Sequence, residues 1–398
     1  MMTNLGVEVL TSERRDILHG QQVGLVTNPS GVRNDLIPTV DVLDGGDEWD
    51  LRRLFAPERG LRLFAPEHGS RGTARNGAGI DEPVDEQTGL RVESLRDVPR
   101  SEFERLFEGL DAVVYDIQDI GCRFYMHLST LLHTLEGAAA ADKRLVVLDR
   151  PNPIAPVGVV GNLAPPLGEQ PETSYDLPIG GNLTAGELAS YCNGEYDVGA
   201  ELEVVPMSGW DRNTWFDETG LPWVQPSPNM PTPTTAIVYP GTCFFEGTNL
   251  SEGRGTTKPF ELVGAPWIDA DEWADRLNAF GLPGVGFRPA YFTPMFSKHE
   301  RKDAEGVQVH VLDRDVLDPV RVGLSMLISA FVTYEECEWL GYNGGFFIDE
   351  LAGGEYLRKT IDEAKADVDP TEMVDSIERY WADERGRFED RSEQYHLY

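Results

Sequence analysis

Short runs rich in β-branched residues alternate with segments of helical spacing through the first 150 residues, and this alternation restricts the fold to a parallel α/β sheet with crossover helices. The expected strands are QVGLVTN (22–28), LRLFAPE (61–67), LRVESL (90–95), DAVVYDIQD (111–119) and KRLVVLD (143–149). Between them, LIPTVDVL, SEFERLFEGL and MHLSTLLHTLEGAAAA place apolar residues at helical intervals. A Pro-rich passage from Pro151 to Pro178 leaves the sheet, TAGELASYCN reads as a helix opened by Thr184, and ELEVVPM reads as a further strand. Proline is dense again from Leu221 to Gly241, which divides the chain into an α/β domain over 1–235 and a smaller α+β domain over 236–398. The second part carries the loop EGTNLSEGRGTT, an apolar helix from Pro319 to Val332 and an acidic amphipathic C-terminal helix.

In an open parallel sheet, ligands bind beyond the carboxyl ends of the strands, where loop side chains and backbone polar groups converge. Here those ends carry Asn28 and Ser30, Glu67 and His68, Asp116 with Gln118 and Asp119, and Asp149 with Arg150. Any one of them is as well explained by a cap or a turn; their convergence on one rim is not. No GxGxxG follows the first strand, TNPSG is too short to cradle a pyrophosphate, and GxSxG, P-loop and HExxH patterns are absent, so no cofactor is expected. Carboxylates with a few Arg, His and Tyr suit general acid and base work on a polar substrate. The spacing of His68, Asp116, Asp119 and His127 does not establish a metal site, and none is expected. The four cysteines, Cys122, Cys192, Cys243 and Cys337, lie far apart without CxxC spacing and read as free thiols.

Charge narrows the partners. Asp and Glu number 68 against 34 basic residues, of which only six are Lys, for a net charge of −34. No basic stripe is available to neutralise phosphates, which excludes nucleic acid. A Lys-poor acidic surface suits molar salt, where the Debye length falls to about 3 Å and self-repulsion fades, so a halophilic cytoplasm is expected. MMTNLGVEVL lacks the basic and apolar regions of a signal peptide, and no apolar run approaches membrane-spanning length, so neither secretion nor a membrane is expected.

LFAPEHG with an RG soon after it, TGLRVESL, VVYDIQDIGCRFY, VVLDRPNP, VPMSGW, LPWVQPSPNMPT, YPGTCFFEGTNLSEGRGTTKPFELVGAPW and GVQVHVLDR follow one another along nearly the whole chain. In that order they closely resemble the exo-β-N-acetylmuramidases of glycoside hydrolase family 171, the NamZ type long carried as a domain of unknown function. The resemblance implies a Rossmann-like N-terminal domain, a smaller C-terminal domain, and a cleft between them. That cleft would remove a terminal N-acetylmuramic acid from the non-reducing end of a glycan or muropeptide-derived oligosaccharide. A hydrolase of another acidic or amino sugar, or a non-catalytic amino-sugar-binding protein, are the alternatives. Three departures stand out: Val160-Gly161-Asn162 where the family pattern has a Glu in VEGP, Ile179-Gly180-Gly181-Asn182 where it has an Arg-His pair, and His127 in place of a Tyr in RFYTY.

Within this frame Glu67, beside His68, is the expected acid. The second carboxylate comes from Asp116 or Asp119, or from Glu246 or Glu252 of the second domain. Arg71, Arg123 and Arg254 are candidates to bind a lactyl carboxylate, because a guanidinium fork matches a carboxylate bidentately. Asn28, Tyr125 and Asn249 are expected to orient the sugar, whereas Asn229 shapes a loop and Trp210, Trp223 and Trp267 read as core. One ambiguity concerns Glu67 itself, because RLFAPERGL (53–61) is followed at once by RLFAPEHGS (62–70). Only the second copy keeps His68 and continues as GSRGTARNGAG in the family manner. The first copy most simply reads as an extruded tandem insertion, which costs little at the end of an element; the alternative is that it supplies the strand and pushes the second copy outward.

Overall fold

Every residue of β1 (Gln22–Thr27) after Gln22 is buried, as a strand covered on both faces requires. The computed structural model describes residues 3–57, 84–95, 98–167, 173–363 and 370–398. In these, β1 is joined by β2 (Asp50–Ala56), β3 (Val92–Ser94), β4 (Ala112–Asp116) and β5 (Arg144–Leu148), then β6 (Val160–Ala164), β7 (Leu177–Gly180) and β8 (Leu202–Val205). A six-stranded sheet runs in the order β3-β2-β1-β4-β5-β8 with every pair parallel, while β6 and β7 form a separate antiparallel ribbon. The chain moves outward from β1 to β2 and β3, then returns to β4 on the other side of β1. That reversal opens a crevice beyond Thr27 and Asp116, which are register partners.

The second strand differs from the sequence expectation. Its seat beside β1 is taken by the first copy of the doublet, with Leu54 paired to Leu25 and Phe55 to Val26. Leu54 and Phe55 are fully buried, so this copy is part of the core and is not extruded. The expected strand 61–67 lies outside the described residues.

Helices cover both faces: α1 (Gly6–Ser12), which precedes β1, and the connecting helices α2 (Thr39–Asp44), α3 (Phe103–Leu106), α4 (Met126–Ala140) and α5 (Ala185–Glu195). LIPTVDVL yields only α2, because Pro38 cannot continue a helix backwards and instead stands at its N-cap. SEFERLFEGL yields the single turn of α3 after a short 3₁₀ turn. Thr184 opens α5 with a capping box in which its hydroxyl accepts from Glu187 N while Glu187 accepts from Thr184 N.

The second domain contains α6 (Pro233–Thr242), α7 (Ala270–Ala279), α8 (Pro319–Thr333), α9 (Phe347–Leu351), α10 (Tyr356–Asp362) and α11 (Pro370–Ser392). Its antiparallel sheet, in the order β10-β11-β9, consists of β9 (Leu262–Ala265), β10 (Val285–Phe292) and β11 (Ala304–Val311). Helices α6 and α8 cross at Gly241 and Gly323, where a methyl group on Gly241 would lie 1.8 Å from the Pro319 carbonyl oxygen. Only glycine permits that approach of two backbones.

One core cluster spans the two domains. Ile120, Phe124, Tyr125, Ile154 and Ile179 of the first domain pack in one cluster with Tyr239, Phe244, Phe260 and Leu327 of the second. The final residues return to the first domain, where the Tyr398 hydroxyl donates to Asp149 Oδ2 (2.8 Å) and Leu397 N donates to Glu187 Oε1 (2.7 Å).

Candidate functional site

Asn28 follows β1 and turns the chain back over the sheet edge. Its Oδ1 accepts from Ser30 N (2.9 Å) and Ser30 Oγ (2.6 Å), an Asx turn that leaves its amide nitrogen facing Pro226 O at 3.1 Å. Ser30 Oγ in turn accepts from Gln118 N (3.0 Å), which ties the loops after β1 and β4 across the switch point. The Gln118 side chain bridges onward by donating to Pro151 O after β5 (2.7 Å). The rim is therefore one hydrogen-bonded unit.

Two of the expected carboxylates have different environments. Asp116 is fully buried: Arg150 Nε and Nη2 donate to its two oxygens at 2.5 and 2.9 Å, and the Thr39 hydroxyl donates to it as well. It anchors the rim and presents no oxygen to solvent. Asp119 is half-buried, with Gly121 N donating to Oδ2 (2.7 Å) while Oδ1 makes no hydrogen bond. Burial pushes its carboxyl up to about 6, against the opposing pull of the Gly121 and Ile120 N–H groups. A carboxyl titrating there can carry a proton near neutral pH.

From Asn28 a line of side chains leaves the first domain. The His127 ring places Nε2 3.0 Å from the Asn28 amide nitrogen and 3.0 Å from Pro226 O. Burial lowers His127 to about 4, so the ring is neutral. Its edge meets Tyr125 at 4.9 Å, Tyr125 meets Tyr239 of α6 at 6.1 Å, and Tyr239 meets Phe260 at 4.6 Å. The Arg254 guanidinium lies over the Phe260 ring at 5.0 Å. Its Nη2 pairs with Glu246 Oε1 (2.6 Å) and its Nε with Glu252 Oε1 (3.3 Å), while Lys298 pairs with Glu252 Oε2 (2.9 Å). Burial would push the Glu252 carboxyl up, but Lys298 and Arg254 outweigh it and hold the group ionised below the ordinary range.

Asn28, Tyr125, Glu246, Glu252 and Arg254 thus fall on one continuous path, with Asp119 on the same rim. Two other candidates are tied into the scaffold. Arg123 has no exposed surface; its Nη1 donates to the carbonyls of Asn162 (2.6 Å) and Leu177 (3.1 Å), and its Nη2 to Leu351 O in the second domain (2.6 Å). Asn162, within the VVGN departure, accepts from Arg123 Nη2 at 3.2 Å and donates to Ala352 O at 2.7 Å, joining the same interdomain clasp. Asn249 donates to Glu336 O (2.7 Å) and accepts from Glu338 N (3.0 Å), closing a loop. Glu58, Glu67, His68 and Arg71 lie outside the described residues.

Sequence reasoning missed His127 as a neighbour of Asn28, Arg150 as the partner of Asp116, and Lys298. The last carried a signal: it is one of six lysines in a chain that otherwise avoids them, and its ammonium is held by Glu252, Phe245 O (2.6 Å) and Leu250 O (2.9 Å). Among the described residues no three His, Cys, Asp or Glu side chains converge as a metal site, and no helix is long and apolar enough to cross a membrane.

Residues 61–234 match the family described as exo-β-N-acetylmuramidase NamZ, N-terminal, and residues 237–398 match its C-terminal counterpart. The chain is 41% identical over 358 residues to a peptidoglycan β-N-acetylmuramidase NamZ of Bacillus subtilis (strain 168), covering 90% of this chain and 84% of that protein. Two crystal structures of DUF1343 family proteins from Bacteroides fragilis NCTC 9343 superimpose on it, with TM-scores of 0.84 and 0.73 at 32% and 26% identity. Both comparisons span 100% of this chain and 99% of the other.

Proposed function

Because the chain belongs to the NamZ family of exo-β-N-acetylmuramidases, we propose that it hydrolyses the glycosidic bond of a terminal N-acetylmuramic acid at the non-reducing end of a peptidoglycan-derived glycan. The observation that carries this reading is the path from Asn28 through His127, Tyr125 and Tyr239 to Arg254 and its glutamates. It joins the sheet's carboxyl rim to the second domain with groups suited to a polar ring.

In the proposed reaction Glu67 protonates the leaving oxygen. This assignment rests on the match beginning at residue 61, which takes in the second copy of the doublet and not the first. His68 and Arg71 follow it on the same segment, as partners of the acid and of the substrate. Asp119 is the rim carboxyl suited to exchange a proton near neutral pH, and Asp116, locked on Arg150, anchors the rim beside it. Glu246, paired with Arg254, is the carboxylate that the second domain can offer to the sugar, and Glu252, buried between Arg254 and Lys298, holds Arg254 in place. A carboxyl separation of about 5 Å favours retention, and one of about 6.5–9.5 Å favours inversion.

The test is hydrolysis of a chromogenic N-acetylmuramide beside the matching N-acetylglucosaminide. The muramide is expected to turn over and the glucosaminide poorly, because a site built for an anionic substituent is left unpaired by a sugar that lacks it. Equal rates on the two would contradict the substrate assignment.

A net charge of −34 with few lysines supports a salt-rich cytoplasm as the enzyme's setting. Repulsion among unscreened carboxylates destabilises the compact state, so the melting temperature should rise between about 0.1 M and about 3 M potassium chloride at constant pH. A flat response would contradict this adaptation.

A further inference from the structure

N-acetylmuramic acid differs from N-acetylglucosamine by a lactyl ether, which adds a methyl group and a carboxylate that a guanidinium matches in charge and shape. Three of the described arginines are already committed. Arg123 is buried on backbone carbonyls, Arg150 is locked on Asp116, and Arg254 is paired with Glu246 and Glu252. A fourth, Arg33, lines a cavity of about 300 Å³, counting its open mouth, between the carboxyl rim of the sheet and residues 216–224. Its walls include Ser30 after β1, Gln118 after β4 and Arg150 after β5, with Leu221 and Val224 opposite. Three strand ends meet there, at the reversal of strand order where an open parallel sheet binds its ligands. The cavity adjoins the path described above, because Ser30 Oγ donates to Asn28 Oδ1 (2.6 Å).

The loop that carries Arg33 is firmly held. Arg33 N donates to Ile37 O (2.9 Å), Thr39 N to Gly31 O (2.8 Å), and Arg150 Nη2 to Val32 O (2.8 Å). The guanidinium is less engaged. Its Nε is buried without a hydrogen bond, and its one ion pair among the described residues runs from Nη2 to Oδ2 of the exposed Asp35 at 3.2 Å. Glu8 also feels the charges of Arg33 and Arg150, but its oxygens accept from the N–H groups of Leu5 (2.8 Å) and Asn34 (2.6 Å), and it forms an ion pair with neither arginine. Arg33 therefore keeps donors to spare beside a partner that water can replace.

We propose that Arg33 receives the lactyl carboxylate in this cavity, with the lactyl methyl against Leu221 and Val224, making Arg33 a specificity-determining residue of the reaction assigned above. The carboxylate supplies the acceptor that Nε lacks, and the guanidinium offers it two parallel N–H groups. The apolar wall gains by covering the methyl. The cavity is too narrow for a pyranose ring, so the sugar itself lies at the mouth and only the lactyl arm enters. N-acetylglucosamine, which has no such arm, leaves the cavity unfilled and Arg33 without its anion.

The inference rests on the proposed substrate but is tested by binding, so hydrolysis and recognition can fail separately. Calorimetry on the full chain at constant salt, with free N-acetylmuramic acid and N-acetylglucosamine as probes, should show the acid bound roughly tenfold more tightly. Arg33→Met, which keeps the apolar stem and removes the charge, should erase that preference, and Arg33→Lys should retain part of it. Asp35→Asn removes the competing carboxylate, so it should tighten the acid by about twofold or more and leave N-acetylglucosamine unchanged, which a merely structural Arg33 would not give. A preference that survives Arg33→Met, equal affinities of the unaltered protein for the two sugars, or an Asp35→Asn variant that binds the acid no more tightly would each overturn the inference. Hydrolysis of the muramide by a protein whose preference ignores Arg33 would remove this assignment and leave the proposed reaction standing.

Discussion

Glu67→Gln is expected to reduce turnover of an N-acetylmuramide by roughly 100-fold or more, while Glu58→Gln leaves it nearly intact. The amide keeps the shape of the carboxyl and removes the transferable proton. The doublet sharpens this contrast, because the first copy occupies β2 while the match to the family begins with the second. The strand seat itself does not discriminate between them. Arg53, Leu54, Phe55 and Ala56 recur as Arg62, Leu63, Phe64 and Ala65, so either copy would offer the same side chains to β1 and the core. What differs is the continuation, Arg59 in one and His68 in the other. Steady-state rates of the two variants, with circular dichroism to establish folding, decide it. A silent Glu67→Gln with an inactive Glu58→Gln would assign the chemistry to the copy that forms the strand.

Arg150→Met is expected to lower folding stability by about 3–5 kcal/mol, the usual consequence of leaving a buried charge without its partner. Arg150 and Asp116 are 5% and 1% exposed, and the pair joins β4 to β5, with Arg150 Nη2 also donating to Val32 O at 2.8 Å. Adding Asp116→Leu should recover much of the loss, because two apolar groups of similar volume replace an ion pair at little net cost. Urea unfolding of both variants measures this. A single variant within about 1 kcal/mol of the parent would show that water or another cation reaches Asp116.

Sequence patterning was sufficient for the central strands because β1, β4 and β5 are buried on both faces and read as continuous apolar runs. It failed at β2 because local propensity is identical in two adjacent segments, and nothing local decides which one pairs. It overextended α2 and α3, where proline and a following turn stop helices that apolar spacing alone would continue. At the site, Asn28 and Asp119 were legible as strand-end residues, and Glu246, Glu252 and Arg254 as charged groups in one motif. Their pairings were not legible. Asp116 meets Arg150 across 34 residues, and Asn28 meets His127 across 99, so both are products of strand order. Arg123 illustrates the converse: its residue type suggested an anion site, but the ribbon of β6 and β7 surrounds it with carbonyls.

The most direct measurement is product analysis of a defined β-linked disaccharide, N-acetylmuramyl-N-acetylglucosamine, incubated with the unaltered protein in high salt. The account predicts equimolar free N-acetylmuramic acid and N-acetylglucosamine by mass spectrometry, with no cleavage of the isomer that carries N-acetylglucosamine at its non-reducing end. An intact muramyl disaccharide, or cleavage of both isomers at similar rates, would contradict it.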